Sequence, residues 1–313
     1  MKILELFGGI GACSKALERL GIGYEIADYV EIDKYAVASF NAMHGTSFEP
    51  QDIREWDKNI EVDLIMHGSP CQDFSIAGKQ AGADENGQTR SSLMYETLRI
   101  VAKLKPKYVI WENVKNLLSE KHRHNFDAYI EAMSKLDYVS KWQVLNAKDY
   151  DIPQNRERVF TVSIRDDEQN RVFRFPEKQP LTKRLCNVLE DKVDDKYYLD
   201  KKLVDEPSHI SDNIKVVGKV DMAGIDIIKR VYDANGLAPT LSTMTGGHRQ
   251  PKIIEPRIRK LTPKERWRLM GFDDSDFEKA EKVNSNAQLY KQAGNSIVVN
   301  VLEAILENLL KTA

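Results

Sequence analysis

Four short apolar runs, at residues 3–7, 24–30, 62–66 and 108–111, alternate with segments of helical periodicity at 14–20, 35–43, 93–104 and 126–136, and a further run follows at 159–164. Strand-length runs separated by helix-length ones leave few architectures. The strands must pair with one another, and the intervening helices must cover the sheet they make. The alternation predicts an open α/β sheet with helices on both faces.

After about residue 175 the alternation stops. Pro176, Pro180 and Pro207 enter, charges cluster between residues 190 and 196, and strand-like stretches become short, without an internal repeat or a low-complexity tract. A second, smaller domain is expected to begin there. Regularity returns at Thr262-Pro263-Lys264-Glu265, where Thr262 can cap a helix, Pro263 suits its first position and Glu265 completes a capping box, with Gly271 as the stop. Ile297, Val298, Val301, Leu302, Ile305, Leu306 and Leu309 then recur at helical spacing. That stripe needs a partner, and the first domain is the expected one.

A chain of 313 residues has ample core for this arrangement, and 42% hydrophobic with 30% charged residues is an ordinary globular balance. Cys13, Cys71 and Cys186 are too few and too scattered for a disulfide framework or a zinc site, so no metal is expected. Glu5 and the glycines Gly8, Gly9 and Gly11 interrupt the apolar N-terminus, which therefore lacks the core of an export signal. No window reaches the roughly 18 uncharged apolar residues of a membrane helix. A cytoplasmic location is the expectation.

Chemistry enters at Gly68-Ser69-Pro70-Cys71-Gln72-Asp73-Phe74-Ser75, directly after the third apolar run. A thiol at a strand end, followed by a loop carrying Gly78, Gly82 and Gly87, suits a nucleophile beside a mobile lid; a buried structural cysteine is the plain alternative. Phe7-Gly8-Gly9-Ile10-Gly11 follows the first strand and opens a helix, which suits close approach of a ligand to backbone N–H groups. The pattern G-x-G-x-x-G is not met, because Ser14 stands where the third glycine would be. Glu31, closing the second strand, can accept from a ribose diol, and Asp52 can accept from an exocyclic amine, so a nucleoside cofactor fits. Glu112, in Trp111-Glu112-Asn113-Val114, falls at the carboxyl edge where such sheets bind ligands. Gln154-Asn155-Arg156-Glu157-Arg158 brings two guanidinium groups, with surface ion pairing as the alternative.

The net charge of -2 hides a basic segment: Arg249, Lys252, Arg257, Arg259, Lys260, Lys264, Arg266 and Arg268 stand against only Glu255 and Glu265. Such a run is either a solvated face or a phosphate-binding one.

Together these pieces resemble the DNA (cytosine-5)-methyltransferases. The likeness rests on Phe7-Gly8-Gly9-Ile10-Gly11, Pro70-Cys71-Gln72, Glu112-Asn113-Val114, Gln154 to Arg158, Arg259-Lys260-Leu261-Thr262 and Gly294-Asn295-Ser296, in the family's order and over nearly the whole chain. It implies a doubly wound, mostly parallel sheet of the Rossmann-like class I methyltransferase kind, with a smaller target-recognition domain. The catalytic domain would span residues 1–174 and be completed by 288–313, leaving 175–287 for recognition and hinge.

The resemblance also implies roles. Cys71 would attack C6 of a flipped-out cytosine, Glu112 would hold N3 and the exocyclic amine, and Arg156 and Arg158 would contact the base and its surroundings. The cofactor would be S-adenosyl-L-methionine, held by Phe7, Gly9, Gly11, Glu31, Ile32, Asp52, Ile53, Pro70, Leu93, Asn295 and Ser296. Double-stranded DNA would be the partner, met by Gln72 and Ser75 near the nucleophile and by Thr240, Leu241, Arg249 and Gln250 in the recognition domain, where Arg suits guanine and Gln adenine. A monomer suffices for this chemistry, and a cognate restriction endonuclease acting on the same site is a partner such enzymes can have. Three rivals remain. RNA methyltransferases on the same scaffold carry Cys-Phe-Thr, whereas the cysteines here precede Ser14, Gln72 and Asn187. A dehydrogenase would need the missing glycine. A catalytically silent DNA-binding protein would not need Cys71, Glu112, Arg158 and Asn295, all of which are present.

Overall fold

Each apolar run of the first half becomes a strand of one sheet, and a sixth strand joins them. The structure is a computed structural model and describes residues 1–69, 93–168, 173–204, 208–211, 214–243 and 249–310. Strands β1 (Lys2–Leu6), β2 (Glu25–Val30), β3 (Leu64–His67), β4 (Tyr108–Val114), β5 (Tyr138–Asn146) and β6 (Glu157–Arg165) lie in the order β2-β1-β3-β4-β6-β5. The pairs β1–β2, β1–β3 and β3–β4 are parallel, and β6 runs antiparallel to both of its neighbours. β5 is absent from the sequence expectation. Its residues at positions 139 and 142 are exposed and it pairs on one edge only, so it has no strong apolar signal to read. β4 extends beyond its apolar run to Val114, which places Glu112 and Asn113 inside the strand.

Strand residues alternate between two cores, as a period of two requires. Ile3, Leu64, Met66, Ile110 and Phe160 face helices α1 (Ala12–Arg19) and α9 (Val299–Leu310); Leu4, Leu6, Ile65, Val109 and Trp111 face α3 (Leu93–Leu104) and α4 (Arg123–Lys135). The terminal stripe therefore finds the partner expected of it, through contacts between α9 and α1. The 25-residue stretch Asn286–Leu310 is long and apolar enough to cross a membrane by length and composition. Here it is broken into α8 (Asn286–Asn295) and α9, and 61% of its 18-residue apolar window is buried inside the protein.

The remainder builds a second sheet in the order β12-β11-β10-β9-β7, from β7 (Leu203–Val204), β9 (Ile214–Val220), β10 (Arg230–Tyr232), β11 (Lys252–Ile254) and β12 (Ile258–Lys260), with β8 (Ser208–Ser211) also paired to β9. The capping box forms at the start of α6 (Pro263–Arg268): Glu265 N–H donates to Thr262 Oγ1 at 3.2 Å, and Thr262 N–H to Glu265 Oε2 at 2.7 Å. Gly271 follows with φ 84°. The α9-side core continues without a break through Leu185, Ala238, Leu241, Ile253, Leu261 and Trp267, joining the two sheets.

Candidate active site

The winding order reverses between β1 and β3, the point of an open α/β sheet outside whose carboxyl ends ligands bind. On the β1 side the backbone takes left-handed values at Phe7 (φ 54°), Gly9 (φ 56°) and Gly11 (φ 77°), and Gly11 caps α1 without a side-chain hydrogen bond. A Cβ on Gly11 would stand 2.7 Å from the Phe40 ring and from His44 Nε2, whereas one on Gly9 would meet nothing within 4 Å. Gly9 thus borders open space while its N–H donates to Glu31 Oε2 at 3.1 Å; the other Glu31 oxygen accepts from Asp33 N–H at 2.9 Å. Burial raises the Glu31 pKa above the usual carboxylate range. Beside it Ile32 presents an apolar side chain that is 65% exposed.

Asp52 is gripped by Arg54, Nη2 to Oδ2 at 2.5 Å, which holds its carboxyl below the usual range. Ile53 is buried in the second core, and Leu93 packs on that core half-buried. Helix α8 is fastened beside β2 through α2 (Lys34–His44) and its cap: Lys291 pairs with Asp33 at 2.6 Å, and Gln292 Nε2 donates to Tyr35 O at 2.9 Å. That brings exposed Asn295 and buried Ser296 to the same side of the molecule. An unfilled glycine cradle, a carboxylate at the second strand's end and an exposed apolar residue together fit a nucleoside-bearing cofactor.

Beyond β3, β4 and β6 pair with Val114 opposite Arg158, so Glu112 lies diagonal to Arg158 on one face. The two side chains meet at 3.0 Å, Arg158 Nε to Glu112 Oε1. Burial is the largest influence on Glu112 and raises its pKa; Arg158 and Arg156 oppose it. The register also sets His67 of β3 against Trp111, and Trp111 Nε1 donates to Ser69 Oγ at 3.0 Å. Ser69 therefore pins the chain one residue before Pro70 and two before Cys71. Glu112 Oε2 would lie 3.7 Å from a Cβ on Gly68, so the carboxyl borders this same stretch. Pro70, Cys71, Gln72, Ser75 and the expected glycine lid lie outside the described residues. The Trp111–Ser69 bond escapes sequence reading because it joins residues 42 apart in the chain.

Arg156 does not share the position of Arg158. Its side chain is buried, with Nη1 donating to Leu241 O at 3.0 Å and Nη2 to Gly294 O at 3.2 Å and Ser296 O at 2.8 Å. The expectation of base contact is corrected on that ground: its fork holds three backbone carbonyls. Gln154 works alongside, its Nε2 donating to Leu269 O at 2.8 Å and its Oε1 accepting from Leu241 N–H at 3.1 Å.

The recognition residues divide. Thr240 and Arg249 are exposed, Thr240 Oγ1 donating to Asn155 O at 2.6 Å. Leu241 and Gln250 are corrected, for both are buried: Leu241 is part of the main core, and Gln250 Oε1 accepts from Arg266. The basic segment is corrected as well. Lys252, Arg259 and Arg266 are buried, Arg259 forks onto Glu265 at 2.9 and 2.8 Å, Arg268 and Lys264 bind Asp274 at 2.7 and 3.2 Å, and Arg257 pairs with Asp195 at 2.8 Å. Most of its charge holds the fold together and does not form a phosphate-facing surface.

The family model for C-5 cytosine-specific DNA methylases matches residues 1–311. The chain is 34% identical to the orphan methyltransferase M.SPBetaI of Bacillus phage SPbeta, over 100% of this chain and 98% of the relative. To the type II methyltransferase M.HhaI of Haemophilus parahaemolyticus it is also 34% identical, over 99% and 94%. A solved putative DNA modification methyltransferase from an E. coli prophage superposes with a TM-score of 0.72 at 21% identity, covering 99% of both chains. The Rossmann-like methyltransferase fold expected from the motifs is therefore present, and the chain belongs to the C-5 cytosine-specific DNA methylase family.

Proposed function

We propose that this enzyme methylates C5 of a cytosine rotated out of a specific double-stranded DNA site, with Cys71 as nucleophile and S-adenosyl-L-methionine as methyl donor. The observation that carries the reading is Glu112, a buried carboxyl with a raised pKa bordering Gly68, three residues before Cys71 in the chain. A carboxyl that keeps its proton can donate to the ring nitrogen of an uncharged base.

In this mechanism the Cys71 thiolate adds to C6 while the Glu112 proton moves to N3, so the ring electrons gather at C5 without a net negative charge. Arg158, paired with Glu112, keeps the carboxyl turned toward the base and stabilises it as a carboxylate once the proton has left. When bound, S-adenosyl-L-methionine supplies an electrophilic methyl group. Glu31 would hold its ribose and Asp52 its adenine amine, with Phe7, Ile32, Ile53 and Leu93 against the adenine, Gly9 and Gly11 beneath the methionine portion, and Pro70, Asn295 and Ser296 closing the pocket. A base then takes the C5 proton, the C6–S bond breaks, its electron pair returns to sulfur as thiolate, and the N3 proton returns to Glu112.

The extruded base costs a few kcal/mol of stacking and pairing, to be recovered by contacts within the pocket. Exposed Thr240 and Arg249, with Gln72 and Ser75 near the nucleophile, are the proposed DNA contacts. Residues 1–174 with 288–313 would form the catalytic unit and 175–287 the recognition unit, acting as a monomer in the cytoplasm. The relatives' names, type II and orphan, are compatible with a cognate restriction endonuclease or with its absence.

Covalent trapping tests the proposal. Duplex DNA carrying 5-fluorocytosine in the methylated site, supplied with S-adenosyl-L-methionine, should capture the wild-type chain in a denaturation-resistant adduct, because fluorine cannot leave as a proton does. Cys71→Ser should give none. Equal behaviour of the two proteins would remove Cys71 from the mechanism, and capture by transfer RNA alone would reassign the substrate.

A further inference from the structure

Ser242 and Gln250 flank residues 243–249 in the chain, and one buried side chain holds both. Arg266, on α6, donates from Nη2 to Ser242 O and from Nη1 to Gln250 Oε1. It is fully buried, and among the described residues no carboxylate lies within ion-pair distance of it. Its other neighbour is the face of Tyr290, 5.2 Å from the guanidinium carbon. Burial without a counter-charge lowers its pKa to about 10. For stability alone, an apolar side chain of similar volume would serve better at such a position.

The geometry explains what the charge does there. A guanidinium presents its donors in a rigid plane, so two Nη atoms bonded to two oxygens fix the separation and relative orientation of the groups bearing them. Ser242 is braced from the other side too, since a Cβ on Gly294 would fall 2.3 Å from Ser242 O and 2.7 Å from Thr243 N. The preceding residue, Leu241, is held through its carbonyl by Arg156 and through its N–H by Gln154. Only at Arg266, among the described residues, does one side chain join both ends of the span.

We propose that Arg266 is a positioning residue for target discrimination, setting the spacing of Ser242 and Gln250 and thereby the stance of Thr240 and Arg249 against bound DNA. The inference rests on the DNA-methylation reading above. Its test uses the full chain on a duplex bearing the methylated site and on duplexes with single-base changes in that site, comparing kcat/KM between them.

Arg266→Met should reduce the ratio of cognate to variant kcat/KM at least tenfold, with S-adenosyl-L-methionine affinity kept within threefold. Arg266→Lys retains the charge but not the fork and should fall between. Should Arg266→Met fail to fold, Gln250→Met, which removes one acceptor and leaves the guanidinium, should show the same loss of discrimination. A merely structural role would lower kcat/KM equally on every duplex, and a ratio within twofold of wild type in the folded variants overturns the proposal. A wild-type chain that methylates no duplex would defeat the DNA reading itself, a result distinct from unchanged discrimination.

Discussion

Glu5 shows burial outweighing hydrogen bonding in setting a residue's titration. It lies one residue before the end of β1, accepts from Ser14 N–H at 3.1 Å and from Ser14 Oγ, and burial lifts its pKa from 4.5 to about 7. A carboxyl with a raised folded-state pKa binds more protons in the native than in the unfolded chain. Native stability should therefore fall as pH rises from about 4.5 to about 7 and then level off. Glu5→Gln keeps an acceptor for Ser14 and loses the ionisation, so it should gain up to about 3.5 kcal/mol at pH 8, taking about 1.4 kcal/mol per pKa unit. Urea unfolding at a series of pH values checks this, and an equal slope in both proteins would refute it. Residue identities carried their placement: Glu31 directly follows β2 and Glu112 lies near the carboxyl end of β4. The sequence could not show that Gln250 and Leu241 turn inward, because adjacent residues on an irregular segment have no period that assigns them a face.

Among elements, the turn from β1 into α1 is the most constrained. Gly11 combines φ 77° with ring atoms of Phe40 2.7 Å from where a Cβ would sit. Gly11→Ala should cost about 2–4 kcal/mol, summing a left-handed backbone penalty and overpacking against α2. It should also weaken cofactor binding, because relief of the clash moves the loop; calorimetric titration and denaturant melts report the two effects. A loss below about 1 kcal/mol would mean that α2 yields easily. Elements with local signals were legible: the capping box of α6 forms from the residues that announced it. The strand β5 was not, since an edge strand with much of its surface in water lacks a continuous apolar run and is paired on one side only, by β6.

At the scale of the whole molecule, the uninterrupted core through both sheets argues for one cooperative unit. Lys15 of α1 ties the parts together, 2.8 Å from Asp273 and 3.1 Å from Asp276 of α7 (Asp274–Glu281) and its cap, while itself only 3% exposed. Lys15→Met leaves buried Asp276 without its cation and should cost about 3–5 kcal/mol. Calorimetry should still show a single transition, and two separated transitions would contradict a shared core. Adding Asp276→Asn should recover part of the loss. The sequence by itself determined the alternation that makes a doubly wound sheet, the glycine turn, and the order of the family's motifs, because each is written in neighbouring residues and obeys local sterics and periodicity. Only the tertiary structure decided where the charges of residues 249–268 go. A lysine or arginine reads the same in sequence whether it faces water or a buried carbonyl, and its partners, Glu265, Asp274 or the Ser242 carbonyl, are brought to it by folding.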